Sequence, residues 1–202
     1  MAQSPAPLML NTLSDPQISD LLLAGKVGIL PSDTVYGLMC RAADIAATQR
    51  LYAVKHREHK PGTIIAASIE QLTELGLKPR YLKAVEQYWP GPLSVIIPSV
   101  ELTYLHQGLN SLAVRIVADQ TLNKLMITTG PLLTTSANEP GQPPANTVQE
   151  AVAYFGDKVD FYVDGGDLSG HEPSTLIRIV DDAIEVLREG AIKIDETGRI
   201  ST

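Results

Sequence analysis

Residues 27–38 read Val27-Gly28-Ile29-Leu30-Pro31-Ser32-Asp33-Thr34-Val35-Tyr36-Gly37-Leu38. An apolar run stops at a proline and gives way to small hydroxyl and carboxylate side chains. That order puts polar groups where a buried strand ends. Ligand sites in α/β proteins collect there, because rigid backbone delivers polar side chains into a crevice. The stretch also has a plain structural reading, since Ser, Asp and Thr in loops commonly bond their own backbone. This explains Ser32-Asp33-Thr34 but not Tyr36-Gly37, where a glycine after an aromatic permits a sharp bend or a close ligand approach.

Outward from this stretch, strand and helix signals alternate along the chain without repeats or low-complexity blocks. Asp15-Pro16 offers an N-cap and a first-turn proline for a helix that Gly25 stops, and Lys26–Leu30 reads as a strand. Asp44 can cap a second helix that ends near Arg57, and Thr63–Ala67 is a short β-like run. Helical patterns follow at Ile69–Leu75 and Arg80–Trp89, then strands at Leu93–Ile97 and Leu112–Val117. A helix over Asp119–Met126 precedes a strand at Pro131–Thr135. Thr147-Val148-Gln149-Glu150 is a capping box opening a helix that Gly156 closes. Phe161–Val163, Thr175–Val180 and Ile184–Leu187 complete the β content. Some strands are joined by hairpin-length turns and others through helices, so the expected sheet is mixed, parallel and antiparallel. The expected organisation is one α/β domain over residues 15–192, with an N-terminal extension over 1–14 and a C-terminal tail over 193–202.

The composition removes several function classes. A formal net charge of −7 argues against broad, nonspecific nucleic-acid binding, which needs a basic surface. With Cys40 alone, neither an internal disulfide nor a cysteine zinc site can form. His56, His59, His106 and His171 have no metal-ligand spacing, so no protein-held metal is expected. Gly-x-Ser-x-Gly, P-loop and dinucleotide fingerprints are missing. The apolar stretches are too short to span a bilayer and the N-terminus lacks a signal peptide, so the expected address is cytoplasmic, with no membrane partner.

Two basic features stand against this acidic background. Arg50, Lys55, Arg57 and Lys60 form the densest positive group, either a solvated helix end or a phosphate site. Lys55 and Arg57 can share a target only if the helix ends about there, as Lys60-Pro61-Gly62 suggests. Arg115 sits inside the apolar strand Leu112–Val117, and a buried guanidinium needs an anionic partner, from the protein or a ligand. Ser136-Ala137-Asn138 and Ser174-Thr175 lie at strand edges, where turn formation and ligand contact are both open.

In this order the clusters resemble the YrdC-like family. The matching segments are Pro31–Leu38, Lys55-x-Arg57, Trp89-Pro90-Gly91-Pro92-Leu93, Ser111-Leu112-Ala113-Val114-Arg115, Pro131–Asn138 with Gly141, Ser174-Thr175 and Leu187-Arg188-x-Gly190-Ala191-Ile192. The resemblance implies a twisted mixed sheet flanked by helices, with a concave ligand pocket. It also implies the activity of the stand-alone members, threonylcarbamoyl-AMP synthases. They condense L-threonine, bicarbonate and ATP, with Mg²⁺ on the triphosphate, and release pyrophosphate. A transferase complex then places the group on adenosine 37 of tRNAs, so direct tRNA binding by this chain is expected to be weak or absent.

By position, the resemblance assigns Thr34, Arg115, Ser136 and Ser174 to threonine or its carbamate. Lys55, Arg57, Lys60, Ser111, Asn138, Asn146 and Arg188 fall on the ATP side, and Lys55, Arg57 and Arg115 carry the catalytic expectation. Two positions depart from pattern: Lys60-Pro61 arrives one residue early, and Glu189 replaces the common proline of Arg-Pro-Gly. The alternatives are a non-catalytic RNA-binding or ribosome-associated module, which the acidic balance weakens, and the carbamoyl-transfer module of hydrogenase maturation. The latter normally carries zinc-finger cysteines, which one Cys cannot supply.

Overall fold

Side chains alternate between the two faces of a sheet, so the pairing register decides what each layer buries. The computed structural model describes residues 6–57, 59–181, 183–195 and 199–201. Among these, the strands are β1 (Leu8–Leu10), β2 (Gly28–Leu30), β3 (Gly37–Arg41), β4 (Thr63–Ala66), β5 (Leu93–Pro98), β6 (Ser111–Ile116), β7 (Leu132–Ser136), β8 (Phe161–Val163), β9 (Thr175–Val180), β10 (Ala183–Arg188), β11 (Lys193–Ile194) and β12 (Ile200–Ser201). The helices are α1 (Gln17–Leu23), α2 (Ile45–Val54), α3 (Ile69–Leu75), α4 (Pro79–Lys83), α5 (Thr103–His106), α6 (Gln120–Thr129) and α7 (Val148–Phe155), with a 3₁₀ turn at Glu86–Tyr88.

Ten strands form one sheet in the order β1-β8-β2-β3-β7-β4-β6-β5-β9-β10, and β11 pairs only with β12. Parallel pairs (β1–β8, β2–β8, β4–β6, β5–β9) mix with antiparallel ones (β2–β3, β3–β7, β4–β7, β5–β6, β9–β10), which is the mixed sheet expected. The sheet begins before residue 15, because β1 comes from the segment read as an extension. β3 was also missed: its run Gly37-Leu38-Met39-Cys40-Arg41 is buried on both faces and so shows no alternation. The helix expected over Arg80–Trp89 ends at Lys83 and continues only as the 3₁₀ turn. Pro90 disfavours helical backbone at Trp89. The first five residues, Glu58, Asp182, residues 196–198 and Thr202 lie outside the described set.

One face is covered across most of the sheet. Ile29, Leu38, Cys40, Leu133, Ile64, Leu112, Val114, Val95 and Ile177 bury against Leu51 and Tyr52 of α2, Leu72 of α3, Leu82 of α4, Leu105 of α5 and Phe155 of α7. The other face is closed only on one side, where Leu30, Met39, Ile65, Leu132 and Phe161 meet Ile18 and Leu22 of α1 and Leu122, Leu125 and Met126 of α6. Beyond Ile65 that face turns polar. Thr63, Thr134 and Ser136 follow there, with Ser111, Ala113 and Arg115 of β6 and Ser94 and Ile96 of β5, all in mutual register. Buried Leu112 and Val114 alternate with half-exposed Ser111 and Ala113, as a strand open on one side requires.

Three helix starts carry the side-chain caps their sequences announce. Asp44 accepts from Ala47 N at 2.9 Å, Asp119 from Leu122 N at 2.7 Å and Thr147 from Glu150 N at 3.2 Å. Glu150 returns its carboxylate to Asn146 N at 2.8 Å, one residue before the Thr147 amide that a standard capping box uses. The Asp44 cap matters most, because α2 delivers Lys55 and Arg57. Asp44→Ala is expected to lower stability by about 1 kcal/mol. Denaturant unfolding should show a reduced midpoint with an unchanged slope.

Candidate active site

The C-terminal ends of β2, β7 and β8 lie at the same edge of the sheet, and the polar half-face opens beside them. Ser32 begins the loop after β2. Its hydroxyl donates to Val35 O at 2.6 Å, accepts from Thr34 N at 3.2 Å and lies 3.0 Å from Thr34 Oγ1. The backbone-bonding reading of this loop therefore holds for Ser32, and it serves to fix Thr34, which is buried. Tyr36 anchors the far end of the loop. Its hydroxyl donates to Gly166 O at 2.9 Å and accepts from Gly165 N at 2.8 Å, and burial raises its pKa.

A cavity of about 70 Å³ lies on this half-face, walled by Thr34, Gly37, Arg57, Gly62, Thr63, Arg115, Thr134, Thr135, Ser136, Ser174 and Arg188 among others. Six positions singled out from the sequence, Thr34, Arg57, Arg115, Ser136, Ser174 and Arg188, meet here. Arg115 gives Nη1 to both Asp33 oxygens at 2.7 Å each, and its buried Nε has no partner. Arg57 donates Nη1 to Thr135 Oγ1 at 2.6 Å and Nε to Lys60 O. Arg188 donates Nε and Nη2 to Ser174 O at 3.1 and 2.7 Å, and Nη2 also to Ser174 Oγ at 3.1 Å. Burial lowers the pKa of Arg188 first, and the charges of Arg57 and Arg115 lower it further. Three guanidiniums thus share one small space, while Asp33 is the one carboxylate bonded to any of them among the described residues.

Arg188 reaches the cavity through an irregularity. Val186 pairs with the core residue Ile177, but Arg188 pairs with Leu176, so Leu187 is an extra residue in the register. Strict alternation would put Arg188 on the same face as Val186, and the bulge turns it to the site face. Gly190 then packs on the Pro173–Thr175 backbone at the start of β9. A Cβ there would lie 2.1 Å from Pro173 O and 2.8 Å from the Thr175 nitrogen.

A second cavity, about 880 Å³, adjoins the first through Arg57 and Ser136, which line both. Its other walls include Tyr52, Lys55, His56, Lys60, Tyr104, Gln107, Asn138 and Gly141. Lys55 is committed to the protein. Its Nζ donates to Ser136 O and Asn138 Oδ1 at 2.7 Å each and also to Asn138 O, which pins the Ser136-Ala137-Asn138 turn. Burial, helped by the nearby Arg57 charge, lowers its pKa to about 8. Ser111 and Asn146 line neither cavity. Ser111 shares the face of Arg115 at about 13 Å along β6. Asn146 sits in the loop before α7, with its amide on Glu150 and its carbonyl accepting from Leu168 N. The sequence reading gave Asp33, Thr63, Thr134 and Thr135 no role. For Asp33 the signal was available, since a buried Arg115 demands a carboxylate and Asp33 stands in the adjacent motif.

The sequence model of the Sua5/YciO/YrdC family, described as telomere recombination, matches residues 20–190. The chain belongs to this family. Among its relatives, a putative threonylcarbamoyl-AMP synthase of Methanocaldococcus jannaschii is 32% identical over 180 residues, covering 88% of this chain and 86% of the relative. The threonylcarbamoyl-AMP synthase of Pyrococcus abyssi is 31% identical over 182 residues, 87% of this chain but 54% of that longer protein. The structure of P. abyssi Sua5 complexed with L-threonine superposes with a TM-score of 0.80 at 27% identity, over 92% of this chain and 58% of that one. Escherichia coli YciO shares the fold, with a TM-score of 0.75 at 21% identity, over 95% of this chain and 97% of that one. Six of the seven sequence segments fall within the matched residues, and the seventh runs two residues past them.

Two outcomes follow from this geometry. Gly190→Ala forces the Ser174 backbone aside and should cost about 1–3 kcal/mol or more, read as a lower thermal midpoint. For Lys55, the folded protein releases its proton nearer pH 8, whereas the unfolded chain holds it to about 10.5. Its contribution to stability is therefore lowest below pH 8 and improves as pH rises between those values. The stability of the wild type minus that of Lys55→Gln, from denaturant unfolding at pH 7 to 10, should increase with pH. A flat difference would contradict the depressed pKa.

Proposed function

We propose that this protein is a threonylcarbamoyl-AMP synthase, condensing L-threonine, bicarbonate and ATP to threonylcarbamoyl-AMP and pyrophosphate. One observation carries the reading: three guanidiniums face a small, hydroxyl-lined cavity that shares Arg57 and Ser136 with a larger one. An amino-acid carboxylate and a carbamate are both anions of the size the small cavity suits. The larger cavity offers amine, guanidinium, imidazole and amide donors, the chemistry that recognises a triphosphate.

In this reading Arg115, Thr34, Ser136 and Ser174 hold threonine, with Arg115 on its carboxylate. The threonine amine adds to bicarbonate, water leaves and a carbamate forms. A carbamate oxygen then attacks the α-phosphorus, and pyrophosphate departs. Arg57, at the junction of the cavities, neutralises charge that develops between carbamate and phosphate, with Arg188 also lining the small cavity. Lys60 and Asn138 complete the nucleotide side, while Ser111 and Asn146 line neither cavity and take no part in this reading. Lys55 contributes by holding the Ser136–Asn138 turn in place. Rate enhancement comes from alignment and charge stabilisation, since no general base stands out among these groups. Mg²⁺ belongs to the triphosphate here. The donors around the larger cavity suit phosphate oxygens, and none of the described residues lining it is a carboxylate, so the triphosphate would carry the ion. The product would pass to the proteins that modify tRNA, consistent with an acidic chain that has little attraction for RNA itself.

The deciding assay is pyrophosphate release from ATP and bicarbonate with individual amino acids. Threonine-dependent release is expected, and no release with any amino acid would sink the proposal. Arg115→Lys keeps the charge but loses the fork, and should lower kcat/KM for threonine by roughly 100-fold or more. Activity near wild type would remove Arg115 from the site.

A further inference from the structure

We infer that Asp33 is a positioning residue for substrate recognition: it clamps one end of the Arg115 guanidinium so that the Nε–Nη2 edge is presented to the substrate carboxylate. The inference rests on the proposed synthase reading. Its starting point is an asymmetry in how Arg115 is used. Both Asp33 oxygens converge on one nitrogen, Nη1, at 2.7 Å each, instead of forming the parallel fork that an arginine and a carboxylate prefer. The fork edge is left open, and Nε is buried with no partner. A buried, charged donor without an acceptor is costly, and most native donors avoid that state. The Arg115 side chain is 3% exposed and that of Asp33 11%, so water does little to relieve it. Arg115 forms part of the cavity wall, and an incoming carboxylate supplies the missing acceptor.

Two roles for Asp33 make opposite predictions. As a placeholder, Asp33 would occupy the substrate's position on Arg115, and its removal would tighten binding. The contacts argue for a clamp, because Asp33 uses the end of the guanidinium that a side-on fork does not need. Asp33 also lies between Ser32 and Thr34, whose hydroxyls are 3.0 Å apart. The same ion pair therefore draws the Thr34 loop toward β6. Charge adds a reason. Arg57, Arg115 and Arg188 repel one another around one space, and Asp33 offsets part of that repulsion without entering the ligand volume, since it faces the neighbouring cavity beside Asp119 and Asp164.

The test compares wild type, Asp33→Asn and Asp33→Glu by threonine-dependent pyrophosphate release, with thermal melts of each. Asp33→Asn should raise the KM for threonine roughly tenfold, leave the KM for ATP within about twofold and change kcat less than KM. Asp33→Glu, which keeps the charge, should recover part of the loss. An unchanged or lowered threonine KM in a folded Asp33→Asn protein overturns the clamp. Parallel rises in both KM values overturn it too, since they mark general damage. Should the variants not fold, the wild type is measured directly by NMR. The Arg115 Nε–H resonance, assigned by its loss in Arg115→Lys, should shift when threonine binds, and binding without that shift overturns the inference. A wild type with no threonine-dependent release overturns the synthase reading itself, and this inference with it.

Discussion

An arginine buried on a sheet face needs polar partners, which the apolar side of a covering helix does not supply. Burying a guanidinium without partners costs more than the covering helix would gain, so the β4–β6–β5 portion of the second face stays open. Much else follows from that constraint. Helices α1 and α6 crowd onto the other half, where Leu30, Met39, Ile65 and Leu132 give them an apolar seat. The opposite face takes the remaining helices and forms the larger core. The open half-face is the part of the sheet that layer packing cannot use, and it is where the cavity lies.

Charge within the cavity is managed by short bonds to backbone and hydroxyl groups. Arg188 rests on the Ser174 carbonyl, and Arg57 on Thr135 and the Lys60 carbonyl. These neutral acceptors orient the guanidiniums without cancelling their charge, so the site keeps its pull on anions. Lys55 is handled differently. Its hydrogen bonds go to acceptors in the Ser136–Asn138 turn, and its depressed pKa records the cost of taking that ammonium out of water. It resembles a buried staple more than a free phosphate ligand.

Much of this was legible in the sequence, for reasons that differ by element. Caps at Asp44, Asp119 and Thr147 are local, and a local signal needs no knowledge of the rest of the chain. Strand β9 and the first half of β6 alternate buried with more exposed residues, and that period shows in their sequences. β3 buries both faces, and β1 has three residues, so neither leaves a period to read. The clusters at Thr34, Arg57, Ser136 and Ser174 could be seen to lie at element ends, but not to face one another. Their convergence depends on the strand order, which puts β7 between β3 and β4 and sends β9 beside β5. Partner choice was equally hidden: the carboxylate that Arg115 requires stands 82 residues away in Asp33.

The extra residue at Leu187 ties one wall of the site to how the hairpin is paired as well as to residue identity. Were β9 and β10 paired without the bulge, Leu187 would stand opposite Leu176 and Arg188 would turn onto the core face of Val186 and Ile177. A regularised hairpin could therefore unmake the cationic wall while every named residue survives in the sequence. Relatives that keep the arginine at this spacing but pair the hairpin without a bulge would share the fold and not the site.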